Sequence, residues 1–148
     1  MSVQCPIVAR EHDRVMATDA DEAAIRAACA AYTSGDIEAL LAVFSPELEW
    51  TYLDPSVENP APQVCHGLVE MRRALRRQSD RGLKASIEEV RVHGSDVVAV
   101  IHIPGLDQIR GPKSDDRNYE VFSFKDGQIV ALRACVDLAE ALRVAGLA

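Results

Sequence analysis

The chain has 148 residues, a length that suits one domain with a single buried core. Hydrophobic residues make up 48%, and 16 Lys and Arg stand against 23 Asp and Glu, a formal net charge of −7. That balance argues against nucleic-acid binding, and no apolar run reaches the roughly 18 residues of a membrane helix.

The opening MSVQCPIVAREHDR lacks the charged-then-apolar pattern of a secretory signal. It reads as a short tail, residues 1–18, ahead of one domain at 19–148. Cysteines at 5, 29, 65 and 135 show no CxxC spacing, so free thiols in a reducing cytoplasm are expected. The adjacent Cys65-His66 pair is too little for a metal centre, and none is expected.

Helix signals begin at Asp19, with Glu22 completing a capping box, and Ile25, Cys29 and Tyr32 fall on one stripe. Ser34-Gly35-Asp36 stops this helix and caps a second, in which Ile37, Leu40, Leu41 and Phe44 are apolar at helical period. Ser45-Pro46 ends it. Glu47 to Asp54 reads as a strand with Trp50, Tyr52 and Asp54 on one face. Residues 55–66 hold three prolines and read as a loop. A third helix is expected over 67–79, its Arg72, Arg73, Arg76 and Arg77 forming a solvated face opposite Leu68, Met71 and Leu75. Strands follow at about 84–93 and 96–104, then a loop, then a hairpin of about 117–125 and 128–136. Asp137 caps a last short helix. The order α-α-β-α-β-β-β-β-α is an α+β layout, with an antiparallel sheet curling around the first helices.

Ala31-Tyr32-Thr33-Ser34-Gly35-Asp36-Ile37 resembles the helix–Gly-Asp–helix corner of SnoaL-like proteins, in the nuclear transport factor 2-like superfamily. Phe44-Ser45-Pro46-Glu47 is similar to that family's entry into its first strand. Phe122 through Val130, running to Arg133 and Asp137, is similar to its closing hairpin. The resemblance covers roughly residues 19–145. It implies a cone-shaped α+β barrel around one small-molecule pocket, used in the superfamily by isomerases, epoxide hydrolases, polyketide cyclases, dehydratases and domains that only bind.

In the hairpin, a three-residue loop ending in Gly127 favours a type I turn with a G1 bulge. That pairs Phe124 with Gln128, Phe122 with Val130, Glu120 with Leu132, and Asn118 with Ala134. One face then carries Phe122, Val130, Leu132, Ala134 and Val136 toward the core, with Asn118 and Glu120 as polar exceptions. Glu120 reads either as an edge residue paired with an Arg or as a pocket carboxylate. The opposite face, with Tyr119, Val121, Ile129, Ala131 and Cys135, is too apolar to be simply solvated. A homodimer is expected to bury it.

On the preceding strand Val98, Val100 and His102 share one face. His102 reads either as a satisfied core histidine or as a pocket acid, base or donor. His66 and His93, beside glycines in expected loops, are discounted.

Against limonene epoxide hydrolases, the places of the catalytic residues hold Trp50, Tyr52, His102, Pro104 and Ala134, so both carboxylates are missing and that chemistry is set aside. Against ketosteroid isomerases, the base falls on Tyr52, a helix-one Tyr on Ala28, and the oxyanion-hole Asp on Glu120. Asp54 could replace the base.

The resulting expectation is a cofactor-free pocket for a small, largely apolar cyclic or carbonyl-containing molecule. His102 and Glu120 would exchange protons, Tyr52 or Asn118 would hold an oxyanion, and Asp54 would serve as a reserve base. Trp50, Asn118, Phe122, Leu132, Ala134 and Val136 would line the ligand site. A non-catalytic ligand-binding or dimeric accessory module is the other reading.

Overall fold

The computed structural model describes residues 19–52, 61–107 and 115–146. The expected tail and the Asp54 position lie outside the described residues.

Helix α1, Asp19–Ser34, carries Asp19, Asp21 and Glu22 in its first turn, where acidic groups face the positive end of the helix dipole. It stops where the sequence signals. Gly35 takes φ of 77°; its N–H bonds the Tyr32 carbonyl at 3.2 Å and the Asp36 N–H bonds the Ala31 carbonyl at 2.9 Å. These two bonds are a Schellman closure, which needs the left-handed conformation that glycine adopts freely. The Asp36 side chain then accepts from the Ala39 N–H and caps α2, Ile37–Leu41.

The helix was expected to reach Phe44, but strand β1 already runs from Phe44 to Tyr52. Pro46 disfavours helical backbone at Ser45, and Phe44 pairs with Ile129 in the sheet instead. A second difference is β2, Gln63–His66, inside the segment expected to be loop. Four residues beside a proline carry no readable period, and tertiary pairing with β1 makes the strand. Helix α3, Gly67–Ser79, has its expected bounds.

Strands β3, Ser86–His93, β4, Asp96–His102, β5, Arg117–Lys125, and β6, Gln128–Cys135, complete a six-stranded sheet of order β2-β1-β6-β5-β4-β3. It is curved and unclosed, an α+β cone. The expected sheet was antiparallel throughout, whereas β1 and β6 run parallel. No local turn joins these two distant strands, so nothing in the sequence fixes their relative direction.

The β5–β6 register also departs from the expected one. Asp126 and Gly127 have φ of 54° and 78°, and Lys125 pairs with Gln128, so the loop has two residues, both left-handed, as in a type I′ turn. A bulge follows, because Phe124 pairs with Ile129 but Ser123 pairs with Ala131. Ile129 therefore enters the core, fully buried, in place of Val130. Beyond the bulge Phe122 faces Leu132 and Glu120 faces Ala134. The inward face keeps its expected members there, in a register shifted by two residues.

The main core lies inside the cone, where Ile25, Leu48, Met71, Leu106 and Ile129 are almost fully buried. Helix α4, Leu138–Val144, is capped by the Asp137 side chain on the Glu140 N–H. It covers the opposite side of the sheet, where Val98, Val121, Cys135, Ala141 and Ala145 form a second cluster. The outer face, which the sequence suggested a homodimer would bury, is thus covered in part by α4 of the same chain. The run Val97 to Ile101 is buried throughout because β4 has cover on both faces.

Candidate functional site

Inside the cone lies a partly open cavity of about 720 Å³, part of it continuous with solvent. Helix α1 contributes Ile25, Cys29 and Tyr32 of its expected stripe, together with Ala28. Helix α3 contributes Met71, Leu75 and Gln78; β1 contributes Phe44, Trp50 and Tyr52. Ile101 of β4, Asn118, Glu120 and Phe122 of β5, and Leu132 and Ala134 of β6 form the remaining strand wall. The chain holds seven aromatic residues, and Tyr32, Phe44, Trp50, Tyr52 and Phe122 among them face this one space. These side chains make its walls largely aromatic and apolar.

Alternation along β1 sends Leu48, Trp50 and Tyr52 inward, each at most 5% exposed. The Trp50 and Tyr52 rings lie 4.7 Å apart at 32°. Tyr52 Oη donates to Gln63 Oε1 at 3.1 Å and accepts from Arg77 Nη2 at 3.0 Å. Tyr32 Oη donates to Gln78 Oε1 at 3.1 Å, which satisfies a glutamine that is otherwise buried. Trp50 Nε1 is different. It is buried and has no hydrogen-bond partner among the described residues.

Glu120 is the one carboxylate among the described lining residues, which include no Lys, Arg or His. Its charge acts on Cys29. Burial, reinforced by Glu120 and opposed by Arg26, pushes the Cys29 thiol up to about 12. Such a thiol stays protonated and is a poor nucleophile at neutral pH.

Of the residues expected at the site, Trp50, Tyr52, Asn118, Glu120, Phe122, Leu132 and Ala134 line the cavity. His102 does not. In the β4–β5 ladder Ala99 faces Glu120 and Ile101 faces Asn118, while His102 faces Arg117. His102 therefore leaves the sheet on the side opposite Glu120, because neighbouring residues of a strand alternate faces. There its Nε2 meets Asp116 Oδ2 at 2.7 Å, and Arg117 links Asp116 to Glu88. The expected His102–Glu120 proton pair is corrected on that geometry.

Val136 is corrected as well. It follows the end of β6, is 67% exposed, and gives its N–H to Glu140 Oε1 at 3.0 Å in the turn into α4. Asp54 lies outside the described residues. Sequence reasoning missed Cys29 and Tyr32, whose helical stripe read equally well as plain core, and Gln78, which no apolar stripe marked. It also missed Arg77, which carried no mark distinguishing it from its solvated neighbours. Among the described residues no three His, Cys, Asp or Glu converge as metal ligands. Cys29, Cys65 and Cys135 are free thiols.

An α+β cone of helices in a curved sheet, enclosing an aromatic-walled cavity, defines a pocket-bearing fold of the nuclear transport factor 2-like type. The sequence profile of the SnoaL-like domain matches residues 25–132, and the chain belongs to that family. Similar structures agree on the fold. A nuclear transport factor 2-like protein from Burkholderia pseudomallei is 19% identical with a TM-score of 0.61, over 85% of this chain and 97% of that one. TerC, crystallised with polyporic acid, is 16% identical with a TM-score of 0.62, over 86% and 99%. A candidate polyketide cyclase from Sinorhizobium meliloti is 22% identical with a TM-score of 0.57, over 76% and 93%. No curated protein is a significant sequence match.

Proposed function

We propose that this chain binds a small, largely apolar cyclic molecule in the cone and moves a proton on it without a cofactor, as an isomerase, cyclase or dehydratase does. One observation carries the reading: a single carboxylate, Glu120, projects among five aromatic residues and aliphatic walls. In such surroundings a carboxylate can take a proton from the carbon beside a ligand carbonyl and return it elsewhere on the same ligand. Asn118, two residues along the same inward face, can hydrogen-bond the oxygen that gains charge. Tyr52 is placed to orient the ring, since its hydroxyl is engaged by Gln63 and Arg77. The ligands and chemistry of TerC and of the cyclase candidate are theirs; they support a pocket role here only by shared fold.

The test uses 1-tetralone in D2O. Wild-type protein should speed exchange of the hydrogens beside the carbonyl, and Glu120→Gln should lower that rate by roughly a hundredfold or more. Exchange no faster than in buffer sinks the catalytic reading. The alternative, a non-catalytic binding module, is favoured by the position of His102, which lies on the opposite face of the sheet from Glu120 and cannot exchange protons with it as expected. Free thiols on three described cysteines support a cytoplasmic setting. Among the described residues no helix is long and apolar enough to cross a membrane.

A further inference from the structure

We infer that the indole N–H of Trp50 is the anchor of the cone, donating a hydrogen bond to an uncharged oxygen acceptor on the ligand, such as a ring carbonyl. The inference deepens the pocket reading and rests on it, but needs no catalysis.

Trp50 is 5% exposed, lines the cavity, and holds an Nε1 that is cut off from water without a protein acceptor among the described residues. Buried N–H groups are almost always paired, and one left unpaired loses its hydration with nothing in return. Three acceptors on β1, β2 and α3 are already engaged. Tyr52 Oη already accepts from Arg77, and Gln63 Oε1 and Gln78 Oε1 each accept from a tyrosine hydroxyl. Strand pairing holds the indole in place, with Trp50 opposite Cys65 on one side and Leu132 on the other. An oxygen on a ring packed against Trp50 and Tyr52 supplies what the protein does not. A carboxylate is a poor candidate for that oxygen, since the Glu120 carboxyl lines the same space. A neutral carbonyl fits both conditions.

The chain has one tryptophan, so it gives one indole N–H resonance. Titration compares 1-tetralone with tetralin, which has the same rings and no oxygen. The indole resonance should move downfield with 1-tetralone and not with tetralin, and 1-tetralone should bind roughly tenfold more tightly. In Trp50→Phe the ratio of the two affinities should fall to about one, while ring binding persists. The resonance measurement needs no substitution and stands even if that variant folds poorly. Equal affinities with an unmoved resonance overturn the anchor and leave the pocket intact. Binding of neither compound overturns both.

Discussion

His102 and Glu120 project from opposite faces of the same β4–β5 ladder, His102 beside Arg117 and Glu120 beside Ala99. The imidazole consequently serves a surface network, and the carboxylate stands in the cavity without it. His102→Ala should leave ligand affinity within about twofold of wild type, whereas Glu120→Gln should change it. Isothermal titration with 1-tetralone decides. A comparable effect of both substitutions would mean that the two side chains act together after all.

The same network sets a pH dependence. The hydrogen bond from His102 holds the Asp116 carboxyl below the usual carboxylate range, and Arg117 adds to it. Glu88 is lowered by its hydrogen bond with Arg117. A carboxylate with a depressed folded pKa contributes stability that is present above its unfolded pKa and lost as pH falls through the folded one. Melting temperature should therefore drop below about pH 4, the ordinary range of these groups. Asp116→Asn should flatten that part of the curve and merge with wild type at the acid end. An unchanged acid limb in Asp116→Asn would show that the pair contributes nothing to folding.

Glu120 should also set which ligands enter. Replacing it with Gln removes the one carboxylate of the described lining, so an anionic ring compound such as tetrahydronaphthoate should bind about tenfold more tightly to Glu120→Gln than to wild type. Affinity for uncharged tetralin should stay put. Equal affinity of both proteins for the anion would argue that Glu120 is neutral in the folded chain.

The covering helix changes where an interface can lie. Val121 is 3% exposed beneath α4, alongside Cys135 and Ala141. Val121→Glu should destabilise the fold by roughly 3 kcal/mol or more, because an unpaired charge would be buried within the chain itself. We retain the homodimer as a proposal on the half-buried Ser123 and Ala131, outside the α4 cluster. Ala131→Glu should then shift sedimentation toward monomer with little loss of melting temperature. A monomeric wild type at high concentration ends that proposal.

Local rules reached far in this chain, and long-range pairing set their limit. Gly35-Asp36 announced both a helix stop and the next cap, and Gly67–Ser79 declared itself through a 3.6-residue apolar stripe. Inward Trp50, Tyr52 and Glu120 followed from period-two alternation. The parity error at His102 has a clear cause: each strand's faces can be read alone, but which face meets which neighbour depends on pairing across a loop. Register in the last hairpin went astray for a related reason, since the bulge opposite Phe124 depends on packing and leaves no local mark. The consecutive Val97 to Ile101 run did carry a signal of cover on both faces, which identifies α4 in hindsight.

Filling the cavity separates its role from that of the surrounding core. Ala28 lines the space from α1 and is 6% exposed, so added methylenes at its Cβ would extend into the cavity. Ala28→Leu should bury more apolar surface at about 25 cal/mol per Å², an effect offset in part by whatever repacking the neighbours need. The net change in stability should lie within roughly 1 kcal/mol of wild type. Ligand affinity should fall at least tenfold, because the added volume occupies the place of a ring. Leu48, at 1% exposure, is the control: it belongs to the same core but does not line the cavity. Leu48→Ala should cost about 2–5 kcal/mol by leaving a void, and wherever the variant remains folded its affinity should match wild type. Denaturant melts and 1-tetralone titrations on both variants give the comparison. Should Ala28→Leu bind as tightly as wild type, the ligand site would have to be sought elsewhere than beside α1.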